Sequence, residues 1–129
     1  MTSYLLDTNA VLFALGCPER LSPGAREAVE TGPNLLSLVS YWEVMLKSMK
    51  GKLDVGDPRT WWTDAVEQLA AGQLNLRTEH VAALYKLPAH HQDPFDRILI
   101  AQAIAEGLTL ITTDSEFARY QDAGLAVIG

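Results

Sequence analysis

Cysteine is nearly missing from this chain. Cys17 stands alone, so no internal disulfide can form, which fits a reducing compartment. With no histidine close to it in sequence, Cys17 reads as a small, partly buried side chain rather than a nucleophile. No apolar run approaches the roughly 18 residues of a membrane-spanning helix. The start, Met1-Thr2-Ser3-Tyr4, has neither the basic residues nor the long apolar stretch of a signal peptide. The expectation is a cytoplasmic protein with no membrane contact, whose first residues form a short loop into a strand. Repeats, low-complexity tracts and flexible linkers are also absent, so the 129 residues are expected to form a single domain, 1–129. With 48% hydrophobic residues, the chain can build a real core.

Positive charge is the other scarcity. Ten Lys and Arg face sixteen Asp and Glu, for a net charge of −6. Nucleic-acid binders usually carry a basic face, so the total argues against one. Distribution matters more than the sum for steering an anion. Lys47, Lys50 and Lys52 cluster directly after Glu43, and a bound cation would partly neutralise several of the acids.

What is present is an alternation of short apolar runs with longer helical periods, the signature of βαβ units and a parallel sheet. Strands are expected around Leu5–Leu6, at Asn34–Leu38, Gln73–Leu76, Thr109–Thr112 and Leu125–Ile128. Helices are expected at Thr8–Leu15, from Ser22-Pro23 to Gly32, at Ser40–Lys50, from Pro58 through Leu69, at Thr78–Lys86 with Thr78 as cap, from Asp93-Pro94 through Glu106, and at Ser115–Asp122. The helix from Pro94 has little polar face, since Ile98-Leu99-Ile100-Ala101 is followed by Ala103-Ile104-Ala105. A helix apolar on most sides is buried on most sides, so it should run between the sheet and other helices. Trp61, Trp62, Ala65, Val66 and Leu69 form an apolar helical stripe, read mostly as core.

Four acids stand where apolar runs give way to helix: Asp7, Glu43, Asp96 and Asp114. In a parallel sheet they would meet at its carboxyl edge, where open α/β sheets bind ligands. Each acid has an ordinary structural alternative. Asp7 and Asp114 fit helix caps, and Asp93 fits one better still because Pro94 follows it. Asp96 suits the first turn of a helix, and Ser40-Tyr41-Trp42-Glu43 matches a capping box. Capping requires only a small polar oxygen, however, and these positions carry carboxylates repeatedly. Crowded carboxylates repel, and burial makes that worse. A hard divalent cation with oxygen ligands offsets both effects. Thr8, Asn9 and Thr112 add neutral oxygens beside the acids, which suits a hydrated Mg²⁺ or Mn²⁺. The pair His90-His91 is read as a loop or helix entry rather than a zinc site, because adjacent residues rarely converge on one ion.

Two enzyme classes that also gather acids at a sheet edge fit poorly. A receiver-type phosphoacceptor needs a paired acid near the first strand and a lysine after the last one. Leu6 precedes Asp7, and no lysine follows Lys86. A phosphatase with an aspartate nucleophile needs a second acid two residues on, where Asn9 stands.

The stretches Leu5-Leu6-Asp7-Thr8-Asn9, Ser40-Tyr41-Trp42-Glu43-Val44, Lys47 with Gly51-Lys52-Leu53, His91-Gln92-Asp93-Pro94-Phe95-Asp96-Arg97 running into Ile100-Ala101-Gln102-Ala103, and Leu110-Ile111-Thr112-Thr113-Asp114 fall in one order along nearly the whole chain. In these the chain resembles PIN-domain ribonucleases of the VapC toxin type. Asp-Pro-Phe-Asp-Arg is the most specific of the five. The resemblance implies a PIN-like three-layer α/β/α sandwich with a central parallel sheet of about five short strands. It implies an acidic pocket of Asp7, Glu43, Asp96 and Asp114 with Asp93 as an accessory acid, and one or two Mg²⁺ or Mn²⁺ ions. It further implies endoribonuclease activity on RNA, a homodimer, and a cognate antitoxin that blocks the site. Gln92 departs from the pattern where relatives often carry a base, and Met45-Leu46 replaces a smaller or β-branched pair. The alternative is a catalytically inactive PIN-like module that binds RNA or a protein.

Metal-assisted phosphodiester hydrolysis is the chemistry expected of such a pocket. Lys47, Lys50, Lys52 and Arg97 are candidate phosphate contacts. Lys47 could equally pair with Glu43 one turn earlier, and Arg97 with Asp93. If these bases touch phosphate, RNA affinity measured by fluorescence anisotropy is expected to fall steadily as salt rises. An affinity that ignores salt would place them elsewhere.

Overall fold

Strands of three or four residues need partners, and here β1, β2 and β4 are paired on both sides while β3 and β5 form the two edges. The computed structural model describes residues 2–129, so Met1, the first residue of the expected lead-in loop, lies outside the described residues. Five strands, β1 (Tyr4–Leu6), β2 (Asn34–Ser37), β3 (Gly72–Leu74), β4 (Thr109–Ile111) and β5 (Ala126–Ile128), form one sheet in the order β3-β2-β1-β4-β5. All four pairings are parallel. The register sets Leu5 beside Leu35 and Leu110, and Leu6 beside Leu36 and Ile111. Successive strand side chains point to opposite faces, so each face of the sheet carries an apolar row, and both must be covered.

Helices α1 (Thr8–Gly16), α2 (Pro23–Thr31) and α4 (Pro58–Gln68) cover the Leu6, Leu36 and Ile111 face with Ala10, Val11, Ala25, Ala28, Trp62 and Ala65. The tryptophan stripe is core, as expected: Trp62 is buried and Trp61, Val66 and Leu69 pack against the same cluster. On the other face, Leu99, Ile100 and Ala103 of α6 (Pro94–Glu106) meet Leu5 and Leu110, joined by Phe117 and Tyr120 of the 3₁₀ segment Ser115–Ala123. Helix α3 (Leu38–Met49) straddles the edge, with Val39 in one core and Tyr41 against the other. Helix α5 (Thr78–Ala83) packs against α6. The result is a three-layer α/β/α sandwich on an all-parallel sheet. Helix α6 runs through it as expected, burying Leu99 to Ala103 without a break. The polar member of that run, Gln102, accepts a 2.6 Å hydrogen bond from Ser37 and lies 3.3 Å from the fully buried His80. Among the described residues, no helix is long and apolar enough to cross a membrane.

Several local expectations are corrected. Strand β2 stops at Ser37 rather than Leu38, and Ser37 caps α3 by accepting the Val39 N–H at 3.0 Å. Ser40 is therefore buried inside the helix, and its capping box with Glu43 does not form. Thr78 is the first residue of α5 and not its cap. Arg77 takes that position and donates its N–H to His80 Nδ1 at 3.0 Å, while the last turn tightens to 3₁₀ at Leu84–Lys86. The third strand covers Gly72–Leu74 instead of Gln73–Leu76. Cys17 is exposed beyond the end of α1 rather than partly buried.

Strand β1 lies between β2 and β4, so the chain's winding reverses there. That reversal opens a crevice past the carboxyl ends of β1 and β4. Behind it lie Leu5, Ile100 and Leu110, all fully buried. Ile100→Ala is expected to cost about 2–5 kcal/mol in urea denaturation. A loss below about 1 kcal/mol would show that α6 does not fill the core.

Candidate metal centre

The first three oxygens of the site come from the ends of β1 and β4. Asp7 directly follows β1 and caps α1, where its Oδ1 accepts the Ala10 N–H at 2.7 Å. Its Oδ2 accepts from the hydroxyl of Thr112, the residue after β4. Thr112 Oγ1 in turn accepts the Asp114 N–H at 3.0 Å. Asp114 then caps the 3₁₀ segment through Oδ1, which accepts the Glu116 N–H at 2.9 Å. One threonine thus ties two aspartates from adjacent strand ends to a common frame. The capping alternative holds for both acids, yet in each case it engages only one carboxylate oxygen, and the second meets a side chain, Thr112 for Asp7 and His91 for Asp114.

Glu43 enters from α3 and is buried. Its Oε1 accepts from Thr8 Oγ1 at 2.6 Å, and Ser40 Oγ lies 3.0 Å from that same hydroxyl. Its Oε2 is 2.8 Å from Lys47 Nζ, an ion pair between successive turns. Asp96 arrives on the first turn of α6, which Asp93 caps by accepting the Phe95 and Asp96 N–H groups. Between Asp96 and Asp114 stands His91, with Nε2 3.1 Å from Asp96 Oδ2 and 3.0 Å from Asp114 Oδ2. Asn9 is exposed on α1, and Lys50 and Lys52 are exposed around the end of α3.

The electrostatics record the crowding. Burial pushes the Asp7 carboxyl up to about 6; the Thr112 and Ala10 hydrogen bonds oppose this, while Asp114 and Glu43 add to it. Burial likewise raises Asp96 to about 7, reinforced by the charges of Asp93 and Glu43. Lys47 is held above its ordinary value by its hydrogen bond to Glu43, with Asp93 and Asp96 contributing. Among the described residues, neither Lys nor Arg forms an ion pair with Asp7, Asp96 or Asp114. Carboxylates raised by burial, without a Lys or Arg partner and with supporting hydroxyls, fit a hard divalent cation such as Mg²⁺ or Mn²⁺.

The PIN domain family matches residues 4–123, nearly the whole chain. The chain belongs to the PIN-domain family. It is similar to Ribonuclease VapC22 of Mycobacterium tuberculosis (strain ATCC 25618 / H37Rv), with 29% identity over 118 residues and 88% of each chain covered. Its fold matches VapBC-1 from nontypeable Haemophilus influenzae at a TM-score of 0.72, with 18% identity, 98% of this chain and 97% of that one. It also matches DNA-bound VapBC from Salmonella typhimurium at 0.71, with 19% identity and 99% and 98% coverage.

Within this PIN domain, two residues behave differently from their sequence reading. Arg97 turns neither to the crevice nor to Asp93. Its guanidinium donates to the carbonyls of Leu87, Pro88 and His91 and lies 3.4 Å from the Tyr120 hydroxyl. A planar fork with five donors suits such a cluster of carbonyls, and these bonds leave it bracing the loop before α6. The two histidines do not converge, as expected. His90 packs edge-on against Tyr120, whereas His91 enters the acid cluster, a role not anticipated. The one available signal was its position two residues before the Asp93 cap, inside the most specific of the family stretches.

The raised carboxyls set a sign for pH effects. Both have folded-state values above the ordinary 3.8, so protonation favours the folded state. Their stabilising contribution is complete below about pH 4 and is lost as pH rises through about 6 to 7. Metal-free protein is therefore expected to melt higher at pH 6 than at pH 8, with the difference shrinking in saturating Mg²⁺. Divalent affinity should run the other way. It should fall roughly fivefold from pH 7 to pH 6 as Asp96 takes up its proton, and more steeply once Asp7 follows. Scanning fluorimetry and titration calorimetry read the two trends. Equal melting temperatures at both pH values without metal would show that the carboxylates are not crowded and dry.

Proposed function

We propose that this PIN-domain chain is the endoribonuclease toxin of a toxin–antitoxin pair, hydrolysing RNA phosphodiester bonds with Mg²⁺ or Mn²⁺ held by Asp7, Glu43, Asp96 and Asp114. What carries this reading is the mutual charge effect of the four carboxylates: Asp114 and Glu43 act on Asp7, Glu43 and Asp7 act on Asp96, and Asp96 and Asp114 share His91 as a neighbour. The name of the relative VapC22, a ribonuclease, supports RNA as the substrate. The VapBC assemblies among the structural neighbours, together with a toxin–antitoxin complex from Klebsiella pneumoniae at 25% identity, support an antitoxin as partner. Trp42 and Met49 are exposed on α3, the helix that carries Glu43. Exposed apolar surface of this kind suits a protein partner, whether the antitoxin or a second copy in a homodimer. A cytoplasmic location fits such a pair.

When bound, the ion supplies a water of lowered pKa and stabilises charge on the attacked phosphate. The remaining work falls to the chain. Thr112 and the Ala10 amide hold Asp7 in one orientation, and Thr112 positions Asp114 by the same hydroxyl. Glu43, steadied by Thr8 and Lys47, is placed to orient the attacking water and accept its proton. Lys47 pairs with Glu43, and the exposed Lys50 and Lys52 around the end of α3 are further candidates for phosphate contact. Asp93 sets the first turn of α6 and with it the Asp96 carboxylate. All four acids are present, and no observation favours an inactive module over an enzyme.

Asp7→Asn keeps a capping oxygen and removes the charge. It is expected to leave melting intact and to lower the RNA cleavage rate by at least about 100-fold, since even outer-shell changes at metal sites cost ~10–100-fold. EDTA should abolish wild-type cleavage. A folded Asp7→Asn protein that still cuts at the parental rate would remove Asp7 from the site.

A further inference from the structure

His91 occupies the heart of the acid cluster, and its ring chemistry is set by its own backbone neighbourhood. The Asp93 N–H donates to His91 Nδ1 at 3.2 Å. A backbone amide can only donate, so Nδ1 must be the bare nitrogen and the ring proton sits on Nε2. That proton points at Asp96 Oδ2 and Asp114 Oδ2, 3.1 and 3.0 Å away. The surroundings hold the residue firmly. Its N–H donates to the Tyr120 hydroxyl at 2.7 Å, its carbonyl accepts from Arg97 at 3.2 Å, and its ring stands edge-on to Phe117 at 5.5 Å.

A metal-ligating Nε2 would require its lone pair toward the ion and the proton on Nδ1, facing the Asp93 N–H donor. The two roles are incompatible in this backbone. The chain has instead placed a fixed N–H donor on the two oxygens that a divalent cation needs. We propose that His91 is a phosphate-binding donor of this site, held by Asp96 and Asp114 until a divalent ion takes their oxygens and frees its Nε2–H for the substrate. The donor and the ion compete for the same carboxylates, because an N–H dipole aimed at the pair cannot share that space with a cation. Once released, the N–H is a free donor beside the ion, placed for a non-bridging phosphate oxygen of the substrate. Arg97 and Tyr120 keep the backbone in place while the ring gives way.

This inference rests on the metal-site reading, and the test separates the two. Mg²⁺ binding by calorimetry is compared among wild type, His91→Ala and His91→Gln, whose amide nitrogen can take the Nε2 position and donate. Removing the competing donor is expected to tighten Mg²⁺ several-fold in His91→Ala, with His91→Gln near wild type. Affinity for a short RNA with a non-hydrolysable linkage, measured with Mg²⁺ present, is expected to drop roughly tenfold to a hundredfold in His91→Ala, as for a lost hydrogen bond to a charged acceptor, and to recover in His91→Gln. Long-range ¹⁵N spectra of the unmutated ring supply a readout independent of any variant. The Nε2–H tautomer should persist with and without Mg²⁺. Weaker Mg²⁺ binding in both variants, or loss of the Nε2 proton on Mg²⁺ addition, would make His91 a ligand and overturn the proposal alone. Absence of Mg²⁺ binding by the wild type would overturn the metal site and the proposal with it.

Discussion

Negative charges gathered at one edge of a sheet and partly buried repel one another, and much of this fold's local detail answers that repulsion. Asp7, Asp114 and Asp93 each begin a helical segment, so backbone N–H groups point at them. Those amides stabilise carboxylates wherever they stand. In each cap one carboxylate oxygen fixes the segment, and in Asp7 and Asp114 the other meets a distant side chain, Thr112 or His91. Glu43, on a middle turn of its helix, has no such amides and relies on Thr8 and Lys47 instead. What these devices leave unbalanced appears in the raised Asp7 and Asp96 carboxyls.

The crevice is also where the two cores of the sandwich meet. Leu5 and Leu6 are neighbours in sequence but belong to opposite cores, and Asp7 follows them at once. On the other side of the crevice, Leu110 and Ile111 divide in the same way before Thr112. The carboxylates therefore stand on backbone clamped from both faces of the sheet. Helix α6 adds a third support. Its buried middle packs beneath the sheet while its first turn delivers Asp96, and Ser37 bonds its Gln102 to the start of the helix that carries Glu43.

Much of this arrangement was legible in the residues, for identifiable reasons. Parallel strands buried on both faces read as short apolar runs, and Asp-Pro marks the start of α6 with a cap and a fixed φ. Asp7, Asp96 and Asp114 stand out because each follows such a run or opens such a helix, whereas Glu43, on a middle turn of α3, stands out only through the stretch Ser40–Val44. The failures have a different cause. Ser37 and Ser40 are both good caps, and only the pairing of β2 with its neighbours decides that the strand stops at Ser37. Thr78 likewise fits a cap, yet the ring of His80 accepts the Arg77 N–H, so the helix begins one residue earlier than that reading requires. Arg97 and His91 were misjudged because their partners lie elsewhere in the chain. Tyr120 is 23 residues from Arg97, and Asp114 is 23 residues from His91. Local spacing carries no information about where a long guanidinium or a loop imidazole turns once distant carbonyls and carboxylates surround it.

The bond between Thr112 and Asp7 spans 105 residues, and this has a consequence for the moment of synthesis. A ribosome adding ~5–20 residues per second needs roughly 5–20 s to travel from one to the other. Throughout that interval the nascent chain carries Asp7 without its partner strand, and β1 has no β4 to lie against. Truncated translation products ending before Thr112 lack half of the frame described above. A site assembled this way is incomplete while the chain emerges and closes only when the last strands pair with the first, after most of the chain has left the decoding site.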